Sequence, residues 1–162
     1  MLKEYDNAWA KYQKGIKIIP TPLLCWDFYS NIKSEETKFK NIQQFWKDKS
    51  NLLSLAKKQN QKVVITDKNF RIVFASDTIS EMNGYQSEEM LGKSPVMFQG
   101  EKTSKRTTLS IKNAINQTKP FKEVILNYKK NGEEYWCQIE AFPMFNVNGE
   151  FLNYIAFEKI AS

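Results

Sequence analysis

The sequence contains no histidine and only two cysteines, Cys25 and Cys137, which lie far apart and form no CxxC motif. A zinc site of cysteine and histidine has no ligand set here, and neither a Ser-His nor a Cys-His nucleophile can be assembled. Acidic residues are scattered, so an enzymatic role ranks last, with Glu158 and Cys137 as its one candidate reactive pair. We therefore expect the chain not to be an enzyme.

Long apolar runs are also missing, and the first ten residues carry Lys3, Glu4 and Asp6. Neither a transmembrane helix nor a secretory signal fits this pattern. The sequence therefore predicts a cytoplasmic protein with no membrane partner. A chain of 162 residues is long enough for one hydrophobic core with an appendage.

The formal charge of +6 is unevenly distributed. Residues 1–61 hold 11 lysines against 6 acids, which leaves +5, whereas residues 62–162 hold 13 basic against 12 acidic residues. A solvated lysine-rich face is the expected reading of this excess. The alternative, a nucleic-acid contact, predicts an affinity that falls steeply with added salt.

Two segments are expected before the main domain. Residues 1–32 form a partly helical lead-in, because Pro20 and Pro22 interrupt the chain there. Residues 34–60 predict one amphipathic helix, since apolar residues recur at spacings of three, four and seven. Lys49 interrupts this stripe, which favours packing against the next domain over a coiled coil. The stripe consists of Phe39, Ile42, Trp46, Leu53 and Ala56.

Residues 62–162 have the pattern of a separate domain rich in strands and aromatic side chains. Two short strands form a hairpin, short helical pieces follow, and a longer helix is expected from an N-cap at Thr103 to about Gln117. Three alternating segments then follow, with tight turns at Asn131-Gly132 and Asn148-Gly149. This order predicts an α+β fold in which a five-stranded antiparallel sheet and helices on one face enclose a pocket.

Within this domain, short motifs occur in the order and spacing of a PAS domain. Individually each is weak, but the ordered set resembles the light-oxygen-voltage (LOV) subfamily over about residues 62–160. The motifs are Val64-Ile65-Thr66-Asp67, Phe74-Ala75-Ser76, Asn83-Gly84-Tyr85, Glu88 to Lys93, Phe98-Gln99-Gly100, Thr103, Ile111 with Ala114-Ile115, Asn127 to Gly132, and Tyr135-Trp136. The resemblance implies the PAS fold, with the N-terminal helical extension on the face opposite the short helices.

The resemblance also implies a flavin pocket, from which this sequence departs. Flavin-binding members carry an Asn, the adduct-forming Cys and an Arg for the flavin phosphate where this chain has Ser94, Pro95 and Val96, while Gln99 is kept. Proline has no nucleophilic sulfur, so a thiol adduct at residue 95 is excluded.

Two later flavin contacts of the family are replaced as well. Asn127 matches the family, but Cys137 replaces a second Asn and Glu158 replaces the Gln that senses the flavin ring. An ionised carboxylate only accepts hydrogen bonds, so Glu158 must be protonated, paired or turned outward, and Cys137 is expected to act as a small hydrophobe. The ligand stays unidentified, and flavin mononucleotide is disfavoured. The pocket candidates are Gln99, Asn127, Ser94, Cys137 and Glu158.

Strand alternation predicts that the outer face of the sheet is apolar too. If Asn127 points into the pocket, an apolar set faces the other way and exceeds what soluble monomers leave bare. We expect the stripe of the N-terminal helix and a second copy of the chain to cover it. The predicted outer residues are Val124, Leu126, Trp136, Phe142, Phe151, Ile155 and Phe157.

The leading functional hypothesis is a regulatory module that binds a small ligand and signals through its own dimer or an unidentified protein partner. A ligand in the pocket would move strands and so change the packing of the helix on the far face. The alternative is a photoreceptor or redox sensor that holds flavin non-covalently, supported by Gln99 and Asn127. Nucleic acid is the least expected partner.

Overall fold

The computed structural model describes residues 34–161 and begins with two short helices, α1 (Glu35–Gln43) and α2 (Leu52–Lys58). The prediction of one helix over residues 34–60 is therefore wrong. Between the helices the chain turns, and the Lys47 amide donates to the carbonyl of Phe145 at 2.7 Å. The Trp46 indole nitrogen donates to Asn153 Oδ1 at 2.9 Å. These two bonds hold the turn between α1 and α2 against the sheet region.

Five strands form one antiparallel sheet in the order β2-β1-β5-β4-β3. This confirms the predicted α+β fold. The last strand in sequence, β5, lies at the centre of the sheet and pairs with both β1 and β4. The strands are β1 (Lys62–Thr66), β2 (Ile72–Ala75), β3 (Phe121–Tyr128), β4 (Glu134–Phe145) and β5 (Phe151–Ile160).

Short helical elements connect β2 to β3. They are a first 3-10 turn (Asp77–Ile79), α3 (Ser80–Asn83), α4 (Ser87–Met90), a second 3-10 turn (Pro95–Phe98) and α5 (Lys105–Asn116). Ser104, not Thr103, caps α5, since its hydroxyl accepts from the Thr107 amide at 3.2 Å. Thr103 instead donates to the Leu126 carbonyl at 2.8 Å and so fastens the start of this helix to β3.

Two apolar cores lie on opposite faces of the sheet. The inner core joins the sheet to the short helices and contains Ile79, Met90 and Phe98. The outer core joins the sheet to α1 and α2, where the Phe39 ring meets the rings of Trp46 and Phe74 edge-on at 5.8 and 5.5 Å. Burial of aromatic surface on both faces therefore makes the two helices part of the same compact unit, residues 35–162.

An ion cluster also fixes the helical layer. Lys57 of α2 lies 2.5 Å from carboxylate oxygens of both Glu35 and Glu36 of α1. The buried Glu35 also accepts from the amide of Asp77 at 3.1 Å, and burial raises the pKa of the Asp77 carboxyl. The start of α1 is thereby attached to the segment that follows β2.

The lead-in over residues 1–32, Cys25 and the first lysines of the N-terminal excess lie outside the described residues, so predictions about them stay predictions. Among the helices of residues 34–161, none is both long enough and apolar enough to cross a bilayer.

Candidate functional site

A cavity of about 340 Å³ lies between the inner face of the sheet, α5 and the second 3-10 turn. This volume is within the range of roughly 300–1,000 Å³ that is typical of small-molecule sites. Its wall is mostly apolar, with a few polar side chains. The lining residues are Phe70, Pro95, Val96, Phe98, Gln99, Thr108, Ile111, Lys112, Ile115, Asn116, Phe121, Ile125, Asn127, Ile139, Ala156 and Glu158.

The sheet supplies the floor of the cavity through alternate positions on three strands. Ile125 and Asn127 come from β3, Ile139 from β4, and Ala156 and Glu158 from β5. Residues two apart on a strand point to the same face, which is why β3 and β5 contribute residues at alternate positions. Gln99, Asn127 and Glu158, three of the five pocket candidates, therefore line one cavity, whereas their role in binding stays a prediction.

The second 3-10 turn forms one side of the cavity and places Pro95 and Val96 in its wall. Proline suits the first position of a helical turn, because its missing amide hydrogen would have no partner there. Ser94 precedes the turn and is not among the residues that line the cavity, so its predicted role in binding stays a prediction. Its hydroxyl accepts from the Val96 amide at 3.4 Å and caps the turn instead.

Glu158 is a carboxyl group buried in this apolar wall, with 8% of its surface exposed. Its Oε2 lies 3.8 Å from the Sγ of Cys137, a weak thiol donor. Loss of solvation raises the pKa of Glu158 to about 7, and the contact with Cys137 lowers it only in part. Near neutral pH the cavity therefore holds a carboxyl group that exchanges between its neutral and charged forms.

Cys137 and Tyr135 lie behind Glu158 in the inner core rather than in the cavity wall. Burial raises the pKa of both side chains far above the ordinary values, and the nearby Glu158 adds to the shift. Cys137 is thus a neutral, unreactive thiol at neutral pH. The Tyr135 hydroxyl is buried, and Asn127 lies directly opposite Tyr135 on β3.

The rim of the cavity carries residues that the sequence did not single out. Phe70, at the tip of the β1–β2 hairpin, has a left-handed backbone with φ of 59°, a conformation that costs a bulky residue about 1–3 kcal/mol. Its ring meets Tyr154 edge-on at 6.2 Å. An apolar residue inside an otherwise polar turn was the sequence signal for this role. From α5, Lys112 is the one cation among the described lining residues.

The opposite face of the sheet is only partly covered by α1 and α2. Ile155 is fully buried beneath them and Phe157 packs against the same core, together with the stripe residues Phe39, Ile42, Trp46 and Leu53. Beyond the helices a bare strip remains, which we call the outer strip. It comprises Val124, Trp136 and Phe142, which are 45%, 52% and 38% exposed.

Two predicted outer residues behave differently. Leu126 is buried, with 8% of its surface exposed. The Phe151 ring contacts the Tyr154 ring at 5.3 Å. The Tyr154 hydroxyl donates to the Lys119 carbonyl in the segment after α5, so both rings lie on the inner face of the sheet. The register of β4 and β5 shifts beside it, and Leu152 packs into the outer core in its place. A bulge therefore inverts the alternation that placed Phe151 on the outer face.

No group of three or more metal-binding side chains occurs within residues 34–161. The polar groups of the cavity wall are one carboxyl group, three side-chain amides, one hydroxyl and one ammonium group, set among apolar side chains. Such a set binds and orients a small molecule by hydrogen bonds and apolar contact.

Comparison with known proteins places this geometry among sensory domains. The PAS domain family matches residues 60–159. Protein TWIN LOV 1 of Arabidopsis thaliana is 36% identical over 86 residues, which are 52% of this chain and 22% of that protein. The blue-light-activated histidine kinase of Brucella ovis is 34% identical over 85 residues, 52% of this chain and 17% of that protein. The chain thus spans about a fifth of the length of these relatives.

Solved structures show the same fold. A light-oxygen-voltage domain whose mechanism was studied with a flavin analogue superposes with a TM-score of 0.66 at 25% identity, over 70% of this chain and 87% of that one. The light-state dimer of the fungal blue-light photoreceptor Vivid superposes with a TM-score of 0.58 at 21% identity, over 61% of this chain and 76% of that one.

Proposed function

Because the chain belongs to the PAS domain family, we propose that it binds a small molecule in the cavity and passes the binding event to α1 and α2 on the far face of the sheet. It is a sensory signalling domain similar to those of blue-light photoreceptors and blue-light-activated histidine kinases. The kinase activity in the relatives' name belongs to those proteins, and we propose no catalytic role for this domain.

The single observation that supports this proposal is the placement of β5. Ala156 and Glu158 line the cavity, while Ile155 and Phe157, which alternate with them along the strand, pack in the outer core against the helical layer. Side chains on alternate positions share one backbone, so a ligand that displaces β5 must also change the packing of α1 and α2. Ligand binding then shifts the population between two arrangements of this layer.

A pocket-filling variant tests the binding step. Ala156→Phe places a ring in the cavity, whereas Val147→Phe adds the same ring to a hairpin loop where residue 147 is 78% exposed. Native mass spectrometry of the purified proteins should find a bound small molecule with the wild type and the Val147 variant, and none with the Ala156 variant. Equal occupancy in all three proteins would place any bound molecule outside the cavity.

Hydrogen exchange tests the signalling step. Removal of the bound molecule should accelerate amide exchange over residues 35–58, because their packing against Ile155 and Phe157 changes with β5. Exchange in the β1–β2 turn at residues 67–69 serves as the internal reference. Unchanged exchange over residues 35–58 would reject the coupling even if the cavity binds its ligand.

For the output we propose a homodimer that buries the outer strip, or a signalling partner that takes the same place. Val124, Trp136 and Phe142 are exposed on the same face of β3 and β4, with the polar Gln138 and Glu140 between Trp136 and Phe142. Exposed apolar side chains that share a face often mark an interface. The Phe142 ring also contacts the partly buried Phe157 ring at 6.2 Å, so the strip is continuous with the outer core. Vivid, with the same fold, is a dimer in its light state.

Non-covalent flavin binding is the second candidate, favoured by the amides of Gln99 and Asn127 in the cavity wall. Other residues fit a flavin poorly. Pro95 offers no sulfur for an adduct, and an ionised Glu158 offers no hydrogen to a flavin acceptor. We propose a flavin-free domain that lacks the adduct cysteine. An absorbance spectrum with flavin bands, before or after incubation with excess flavin mononucleotide, would support the second candidate instead.

A further inference from the structure

The buried carboxyl group in the cavity wall restricts what kind of molecule fits there. We propose, building on the proposed ligand-binding function, that the cavity selects a flat aromatic ligand with a cationic, amidine-like edge of two N–H donors, which pairs with both oxygens of Glu158. Three observations support this ligand class. The wall around the carboxyl group is apolar, no lysine or arginine of the described residues pairs with the carboxyl group, and aromatic rings line the cavity.

Glu158 has no protein cation to pair with. Among residues 34–161, no lysine or arginine nitrogen lies within 4 Å of its oxygens. Lys62, directly opposite on β1, directs its ammonium to Glu81 at 2.6 Å and to the Thr78 hydroxyl at 3.1 Å. Within the part of the chain that the structure describes, the Cys137 thiol is the hydrogen-bond partner found for this carboxyl group. Its remaining acceptor sites are therefore free to take donors from a molecule in the cavity.

The surrounding wall favours a flat and largely apolar guest. Ile125, Ile139 and Ala156 flank Glu158 on the sheet, and Phe98 and Phe121 add aromatic faces. A cation beside aromatic rings gains both ring contact and a charge-assisted pair of hydrogen bonds. A ligand with a neutral primary amide in place of the amidine would instead set its carbonyl oxygen against one carboxylate oxygen of Glu158. Both oxygens are acceptors, so this contact is repulsive when Glu158 is ionised.

Binding of such a cation has a proton signature. The ligand stabilises the ionised carboxylate, so it lowers a pKa that is about 7 in the empty cavity and expels the proton held there. The other titratable or charged groups facing this region are Cys137 and Tyr135 of β4, Lys62 of β1 and Lys112 of α5. The thiol and the phenol stay neutral below pH 9, because burial raises both pKa values.

The test uses a matched pair of probes, naphthalene-2-carboxamidine and naphthalene-2-carboxamide, which have the same ring system and differ in the carbonyl. At pH 8, calorimetry should show that the wild type binds the amidine at least about tenfold more tightly than Glu158→Gln does. The reason is that the variant loses one charge-assisted pair of hydrogen bonds, which contributes at least about a tenfold change in affinity. The amide should show the reverse order, because glutamine can donate as well as accept. Glu140→Gln, which alters a carboxylate paired with Lys122 at 3.5 Å, should match the wild type.

A second readout separates a direct contact from a change in folding. At pH 6.5, titrations in two buffers of different ionisation enthalpy should show a proton released when the amidine binds the wild type and none with Glu158→Gln. Equal affinities of both probes in both proteins, together with loss of binding in Ala156→Phe, would overturn this inference and keep the ligand-binding function. If neither probe binds to any of the proteins, the inference is overturned. The proposed ligand-binding function is then decided separately, by the native mass spectrometry of co-purified ligand.

Discussion

The buried carboxyl group of Glu158 makes a specific prediction about stability and pH. Its pKa is raised from 4.5 to about 7 in the folded protein by loss of solvation, whereas the unfolded chain keeps the ordinary value. Below pH 4.5 both states carry the proton. Between pH 4.5 and 7 the unfolded state loses it and the native state keeps it, so the free energy of unfolding falls as the pH rises. Above pH 7 both states are ionised and the loss is complete.

The magnitude follows from the width of that window. Each pH unit is worth about 1.4 kcal/mol, so ionisation of Glu158 costs the native state about 3 kcal/mol by pH 8. That is a large part of the 5–15 kcal/mol that stabilises ordinary domains. Glutamine has nearly the same shape and no charge. Glu158→Gln should therefore be more stable than the wild type at pH 8 by about 3 kcal/mol, and the advantage should fall to a small constant near pH 4.

Urea denaturation at half-unit steps from pH 4 to pH 8.5 measures this difference. Other groups whose pKa changes on folding, such as Asp77 with its raised pKa, are present in both proteins and cancel in the subtraction. Glu140→Gln provides the matched carboxylate on β4, half-buried and paired with Lys122. If the stability curves of wild type and Glu158→Gln run parallel within about 0.5 kcal/mol, the carboxyl group is hydrated or paired, and the reasoning about the cavity fails.

Three further predictions concern packing and assembly. Trp46→Ala should cost about 3–5 kcal/mol in chemical denaturation because the side chain is fully buried, whereas its neighbour Phe45, 64% exposed, should tolerate alanine within about 0.5 kcal/mol. Gly100→Ala should cost about 1–3 kcal/mol, since a Cβ there would lie 2.4 Å from the Tyr128 ring; the loss should shrink in a Tyr128→Leu background. Trp136→Glu should shift the protein to monomer in sedimentation velocity with an unchanged circular dichroism spectrum; an unaltered dimer would exclude the outer strip as its interface.

Sequence patterns predicted the sheet because its determinants are local. Alternation along β3 and β4 places Ile125, Asn127, Tyr135 and Cys137 toward the inner core or cavity, as period-two reasoning requires. The cavity residues Gln99, Asn127 and Glu158 came from a resemblance to a family, and their assembly in one wall depends on strand order, which no local pattern encodes. Their binding role remains to be tested.

The features that the sequence did not predict depend on contacts between distant residues. Residues 34–60 have helical periodicity throughout, yet the chain bends at Trp46 because its indole reaches Asn153, 107 positions away. Phe151 lies on the inner side because of a register shift between two strands. Phe70 reaches the cavity through a left-handed backbone that propensity disfavours. Each case is one in which tertiary contact overrides a local preference.

The free energy that ionisation of Glu158 costs the native state is large enough to shift an equilibrium between two conformations. A ligand can shift an equilibrium only by its differential affinity for the two states. A cation that pairs with Glu158 recovers much of the about 3 kcal/mol that ionisation costs, which corresponds to roughly a hundredfold change in an equilibrium constant. The residue before Glu158 on β5, Phe157, packs against the outer core beneath α1 and α2. β5 therefore holds both the carboxyl group that pairs with the ligand and the side chain that packs against α1 and α2. Ligand binding and repacking of these helices are coupled through this strand.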